Sequence, residues 1–233
     1  MRITTIGLDA DDTLWHNERF FHLTQDRFTE VLADYAAPEQ LAERLLAAER
    51  RNLGHYGFGI KGFVLSMIET AVEVTDGRVP GSVIGQIIAA GQDMLAHPID
   101  LLPGVEKTID ALSGRYRLVL ITKGDLLDQE RKLAQSGLGD RFDAIEIVSA
   151  KTPVVYQQVF ARHGDGAGSA LMAGNSMASD VLPALQAGSW GVFVPHGLEW
   201  ALERADPPRD HPRFRRISEL SDLPDLVHWI EEG

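Results

Sequence analysis

From Leu101 to the end of the chain, short apolar runs alternate with helix-length amphipathic segments, and few folds accommodate that alternation. Leu118–Ile121, Ile145–Val148, Ala170–Ala173 and Gly191–Val194 read as strands. Helices are expected at 103–113, 127–136, 153–163 and 178–187. Gly114 and Gly137 follow two of them, where a helix C-terminus favours glycine, and Pro153 opens a third. A short strand near 214–217 and a helix over 223–231 complete this half. Strands separated by helices of this length form a parallel sheet with right-handed crossovers. One more strand, Ile3–Leu8, stands at the N-terminus, with Ile3, Thr4, Thr5 and Ile6 β-branched as a buried strand prefers. Between the two lies a stretch with no strand signal. Helices are expected at 17–36, 39–52, 61–74 and 82–95, with Asn17 as an N-cap and Gly54–Gly59 as a loop. The expected fold is therefore α/β: a parallel-sheet core made of residues 1–14 and 101–233, with an all-helical segment, 15–100, inserted directly after the first strand.

In an open parallel sheet, ligands bind at the carboxyl ends of the strands. The first strand runs straight into Asp9, Ala10, Asp11, Asp12 and Thr13. Residues two apart in extended chain point the same way, so Asp9 and Asp11 can present carboxylates to one point. Three acids in four residues repel one another, and a cation is expected beside them. Oxygen ligands of this kind suit Mg²⁺. The other strand ends carry Thr122 with Lys123, then Lys151, then Asn175 with Asp180 a turn further on. A carboxylate nucleophile, a second carboxyl that trades protons, a hydroxyl, a lysine and metal ligands are the parts of phosphoryl transfer. In that reading Asp9 attacks phosphorus and forms an aspartyl-phosphate. Asp11 protonates the leaving oxygen and then takes a proton from water. Mg²⁺ shields the meeting of two anions. Thr122 donates to a phosphate oxygen, Lys151 balances the acids, and Lys123 faces either phosphate or solvent.

The segments D-A-D-D-T-L at 9–14, L-V-L-I-T-K-G at 118–124, K-T-P-V-V-Y at 151–156 and M-A-G-N-S-M-A-S-D at 172–180, in this order and at these strand ends, resemble the haloacid dehalogenase-like superfamily of hydrolases over essentially the whole chain. The resemblance implies a Rossmann-like core with the first strand central, and the helical segment as its cap. It places the nucleophile on Asp9, the acid/base on Asp11, the phosphate-binding hydroxyl on Thr122 and the lysine on Lys151. It places the magnesium ligands on the Asp9 carboxylate, the Asp11 backbone carbonyl and Asn175, with Asp180 holding the metal site or its waters. The chain departs from many members in carrying Asn175 where they carry Asp, which keeps an oxygen ligand and removes a charge. The dehalogenases that gave the superfamily its name lack the acid two residues after the nucleophile, because a halide leaves without a proton. Asp11 therefore favours a phosphatase over a 2-haloacid dehalogenase. A phosphomutase using the same intermediate and a non-catalytic phospho-ligand-binding protein are the other readings.

The net charge of −12 argues against a nucleic-acid or anionic-membrane partner. The phosphatase reading implies a small phosphorylated metabolite as the partner, with a nucleoside monophosphate and a sugar phosphate both open. The chain has no cysteine, which excludes disulfides, thiolate zinc sites and a cysteine nucleophile. The N-terminus does not read as a signal peptide, and the cytoplasm is the expected location.

Overall fold

The computed structural model describes residues 2–233. The chain divides into two compact units. One comprises the chain up to His16 with Ile99–Lys123 and Gln129–Gly233; the other comprises Asn17–Pro98 with Gly124–Asp128.

The second unit is built on four helices, α1 (Glu18–Val31), α2 (Pro38–Tyr56), α3 (Ile60–Val74) and α4 (Gly81–Ala96). Each buries one stripe, including Phe28, Leu41 and Leu45, Phe63 and Met67, and Ile87 and Met94, in a shared core. Gly91 lets α3 and α4 approach, since a Cβ there would strike the Val64 side chain. Asn52 is buried between α2 and α3 and donates to Ser66 Oγ (3.1 Å) and Glu69 (2.6 Å). The expected loop at 54–59 is shorter than its glycines suggest. Helix α2 runs on through Gly54 and His55 to Tyr56, because glycine inside a helix costs only about 1 kcal/mol relative to alanine. The turn comes at Gly57, whose φ of 71° suits glycine.

The first unit is a six-stranded sheet, parallel throughout. Its strands are β1 (Thr5–Leu8), β2 (Arg117–Lys123), β3 (Ala144–Val148), β4 (Ala170–Gly174), β5 (Trp190–Phe193) and β6 (Phe214–Arg216), in the order β3-β2-β1-β4-β5-β6. Alternate residues serve opposite faces. Leu118 and Leu120 join the layer of α5 (Val105–Leu112) and α9 (Leu223–Glu232), which also takes Leu133 of α6 (Leu126–Ser136). Val119 and Ile121 join the layer of α7 (Pro153–His163) and α8 (Leu182–Ala187). Both faces are covered, which explains why the strands read as continuous apolar runs.

Trp15 is fully buried in this unit and bridges both Asp11 and Leu101. The helical unit consequently starts at Asn17 and ends at Pro98, inside the 15–100 span expected from sequence. The expected helix 178–187 is two structures: a π-helical turn, Met177–Val181, then α8. Pro183 has no N–H to give the Ser179 carbonyl four residues back, and the Tyr156 hydroxyl donates to that carbonyl instead (3.0 Å). Among the described residues, no helix is long and apolar enough to cross a membrane. Strand order reverses between β1 and β4, and the crevice outside their carboxyl ends is where such a sheet binds ligands.

Candidate active site

At that switch point the Asp9 N–H donates to Ala173 O (3.0 Å), extending the β1–β4 ladder by one residue. The chain then closes a turn, with the Thr13 and Leu14 N–H groups both on Ala10 O and Asp12 at φ 61°. The three acids that would repel one another are thereby given separate partners.

Asp9 is 6% exposed. Its Oδ2 accepts from Thr13 Oγ1 (2.8 Å) and its Oδ1 meets Lys151 Nζ. Lys151 also holds Asp180 (2.6 Å), and both of those side chains are 1% exposed. Burial and the Asp180 charge push the Asp9 carboxyl up to about 7, against the pull of Lys151. Burial opposes the charge on Lys151, but Asp180 and Asp9 outweigh it and raise its pKa, so the ammonium is permanent. Asp180 further accepts from the Ser176 N–H (2.9 Å), which anchors it across the π-helical turn. It lies so close over the end of β4 that a Cβ on Gly174 would collide with its carboxylate.

Asp11 makes a different set of bonds. It accepts from Trp15 Nε1 (2.7 Å), Gln129 Nε2 (2.8 Å) and Lys132 Nζ (2.9 Å). Burial would raise its carboxyl. The Lys132 charge and these bonds override burial and hold it below the usual range.

Asn175 faces Asp9 and the turn. Thr13 Oγ1 accepts from the Asn175 N–H (3.1 Å). The inward atom of the Asn175 amide lies 3.1 Å from Asp11 O and 3.2 Å from Asp9 Oδ2. With NH₂ inward, Asn175 donates to both; with its oxygen inward, three oxygens converge in a set that a cation stabilises. Neighbouring oxygen ligands on an octahedral ion at about 2.1 Å stand about 3 Å apart. The spacing and the all-oxygen donor set thus fit Mg²⁺, which the Asp9 carboxylate, the Asp11 carbonyl and Asn175 would hold. Asp180 is engaged with Lys151 and the Ser176 N–H, a position from which it steadies the site.

Thr122 is buried in β2, two residues past Leu120, the partner of Leu8, and so lies on the same rim. Lys123 is directed elsewhere: its ammonium meets Glu203 and Ser179 Oγ. Glu203 also accepts from Ser176 and Ser179, and its carboxyl is held below the usual range because Lys123 and those hydroxyls outweigh burial. Sequence reasoning did not single out Thr13, Trp15, Gln129, Lys132 or Glu203. Thr13 lay within the acidic motif itself. Gln129 and Lys132, three apart on α6, carried the signal of a polar pair on a face that also buries Leu133.

The family model of haloacid dehalogenase-like hydrolases matches residues 3–188. A haloacid dehalogenase-like family hydrolase from Xanthomonas campestris is 39% identical, with a TM-score of 0.89, covering 99% of this chain and 92% of that one. Two more distant structures share the fold. A 2-haloacid dehalogenase from Pseudomonas syringae pv. Tomato is 22% identical (97% and 99% covered, TM-score 0.60). A predicted phosphoglycolate phosphatase from Haemophilus somnus is 16% identical (97% and 99% covered, TM-score 0.67). No curated protein matches the chain.

Proposed function

The chain belongs to the haloacid dehalogenase-like hydrolases, and from that membership we propose that it is a magnesium-dependent phosphatase of small phosphorylated metabolites. The observation that carries the choice of phosphatase is Asp11. A carbon–halogen bond breaks to give a stable anion, whereas an alkoxide leaving from phosphorus needs a proton. A half-buried carboxyl two residues beyond the nucleophile, clasped by Lys132, Gln129 and Trp15, has a use in the second chemistry and none in the first.

In this reading Asp9 Oδ1 or Oδ2 attacks phosphorus, forming the aspartyl-phosphate and releasing the alcohol. Lys151 balances the charge on Asp9 and, through Asp180, is fixed in place. Thr122 donates to a phosphoryl oxygen. Asp11 gives the leaving oxygen its proton and, as the carboxylate that Lys132 favours, takes one from the water that opens the phosphoenzyme. Magnesium, when bound by Asp9, the Asp11 carbonyl and Asn175, supplies charge that lets an anionic nucleophile approach an anionic phosphate. The helical unit, 17–98, serves as the cap that selects the leaving group and excludes water.

Phosphate release from an aryl and from an alkyl phosphate, with and without Mg²⁺, tests the reading. Asp9→Asn should lower turnover of both by roughly a thousandfold or more. Asp11→Asn should cost far more on the alkyl ester, whose leaving group needs the proton. Equal losses on the two esters, or halide release from a 2-haloacid without phosphatase activity, would overturn the proposal.

A further inference from the structure

Asp12 is the third acid of the motif, and its surroundings differ from those of Asp9 and Asp11. Its carboxylate is 6% exposed and lies 3.6 Å from His196 Nδ1. His16, four residues on, completes a group in which one ligand atom from each of Asp12, His16 and His196 lies within 4.8 Å of the other two. The imidazole rings of His16 and His196 sit edge to face, with centroids 5.8 Å apart and planes 63° apart. Two imidazoles bound through nitrogen to one tetrahedral ion at about 2.0 Å have centroids about 5 Å apart, so small rotations close the set. His196 Nδ1, the ring atom that faces Asp12, also lies 3.1 Å from Leu198 O and 3.4 Å from the Leu198 N–H nitrogen, so the backbone of the segment after β5 holds the ring in place.

We infer that Asp12, His16 and His196 form a second cation site, selective for a borderline divalent transition metal such as Zn²⁺ or Co²⁺. Two imidazoles and a carboxylate suit such ions, whereas Mg²⁺ requires the all-oxygen set at Asp9 and Asn175. Three protein ligands leave a position open to water. Once filled, the site ties the turn after β1 to the segment after β5. It is independent of the phosphatase reading.

Cobalt titration tests this with magnesium held in excess to fill the oxygen site. One equivalent of Co²⁺ should give a visible d–d absorption band and broaden the imidazole NMR signals of His16 and His196 in the wild-type protein. The band should persist in Asp9→Asn and be lost in His16→Gln and in His196→Gln, each of which should keep the wild-type circular dichroism. A band that survives both histidine substitutions, or wild-type His16 and His196 signals that stay sharp at one equivalent of cobalt, would overturn the assignment. The NMR reading needs no variant, so it decides the matter even where a substitution disturbs the fold.

Discussion

Asp9 holds a proton to an unusual pH because burial and Asp180 together outweigh Lys151, and this has a measurable consequence for stability. Its pKa rises from 3.8 in the unfolded chain to about 7 in the folded protein. Between those values the native state keeps a proton that the unfolded chain has released, so stability present at low pH is lost as pH rises through 7. The slope is at most about 1.4 kcal/mol per pH unit for one proton. Asp9→Asn carries no such proton. In EDTA, the urea midpoint of the wild type should fall between pH 5 and 8 relative to that of Asp9→Asn, and parallel profiles would refute the account. Asp11 shows the opposite balance. Lys132→Met removes the charge that holds its carboxyl low, so the side-chain carboxyl carbon NMR signal of Asp11 should titrate at a higher pH than in the wild type, the direction in which a lost opposite charge moves it. An unmoved titration would show that Lys132 does not hold the Asp11 carboxyl down.

The strand β4 and the π-helical turn after it act as one device. Gly174 leaves room for the Asp180 carboxylate over the strand end, and Pro183 frees the Ser179 carbonyl that Tyr156 holds. Gly174→Ala puts a methyl group onto Asp180 and should push it from Lys151. The expected result is a loss of about 1–3 kcal/mol, the usual range for overpacking, with activity down tenfold or more. Thermal melts and phosphate release check the two halves separately; unchanged activity would mean that Asp180 does not position Lys151. These elements also mark where the sequence stops being readable. The apolar strand runs and their helices were legible because that signal is local, and Asp9, Asp11, Lys151 and Asn175 were legible because each follows a strand. The split of 178–187 into two structures was not, since it depends on Tyr156, 23 residues from the carbonyl it bonds. Gln129 and Lys132 were not legible as partners of Asp11 because nothing local says that Asp11 lies opposite. Glu203 stands in a short turn with no periodicity, and only the fold reveals its pairing with Lys123.

At the scale of the whole chain, the helical unit enters and leaves the sheet unit at one place. Trp15 bridges Leu101 in antiparallel fashion, and the His16 N–H donates to Asp100 O (3.0 Å). An insertion whose two ends are neighbours in the host leaves the host's strand order and core uninterrupted, the circumstance in which insertions are tolerated. The sheet unit keeps its own apolar layers on both faces, and Asp9, Asp11, Thr122, Lys151, Asn175 and Asp180 all belong to it. A chain in which a short glycine-serine linker replaces 17–98 should therefore fold, giving the far-ultraviolet signature of an α/β protein and a cooperative melt. With the chemistry kept and the proposed cap removed, it should still release phosphate from a small aryl ester in the presence of Mg²⁺, while its preference among natural phosphate esters flattens. If the shortened protein folds but hydrolyses nothing, the helical unit contributes to the chemistry itself. If it folds and keeps the full preference, selection resides in the sheet unit and the helical unit is not the cap.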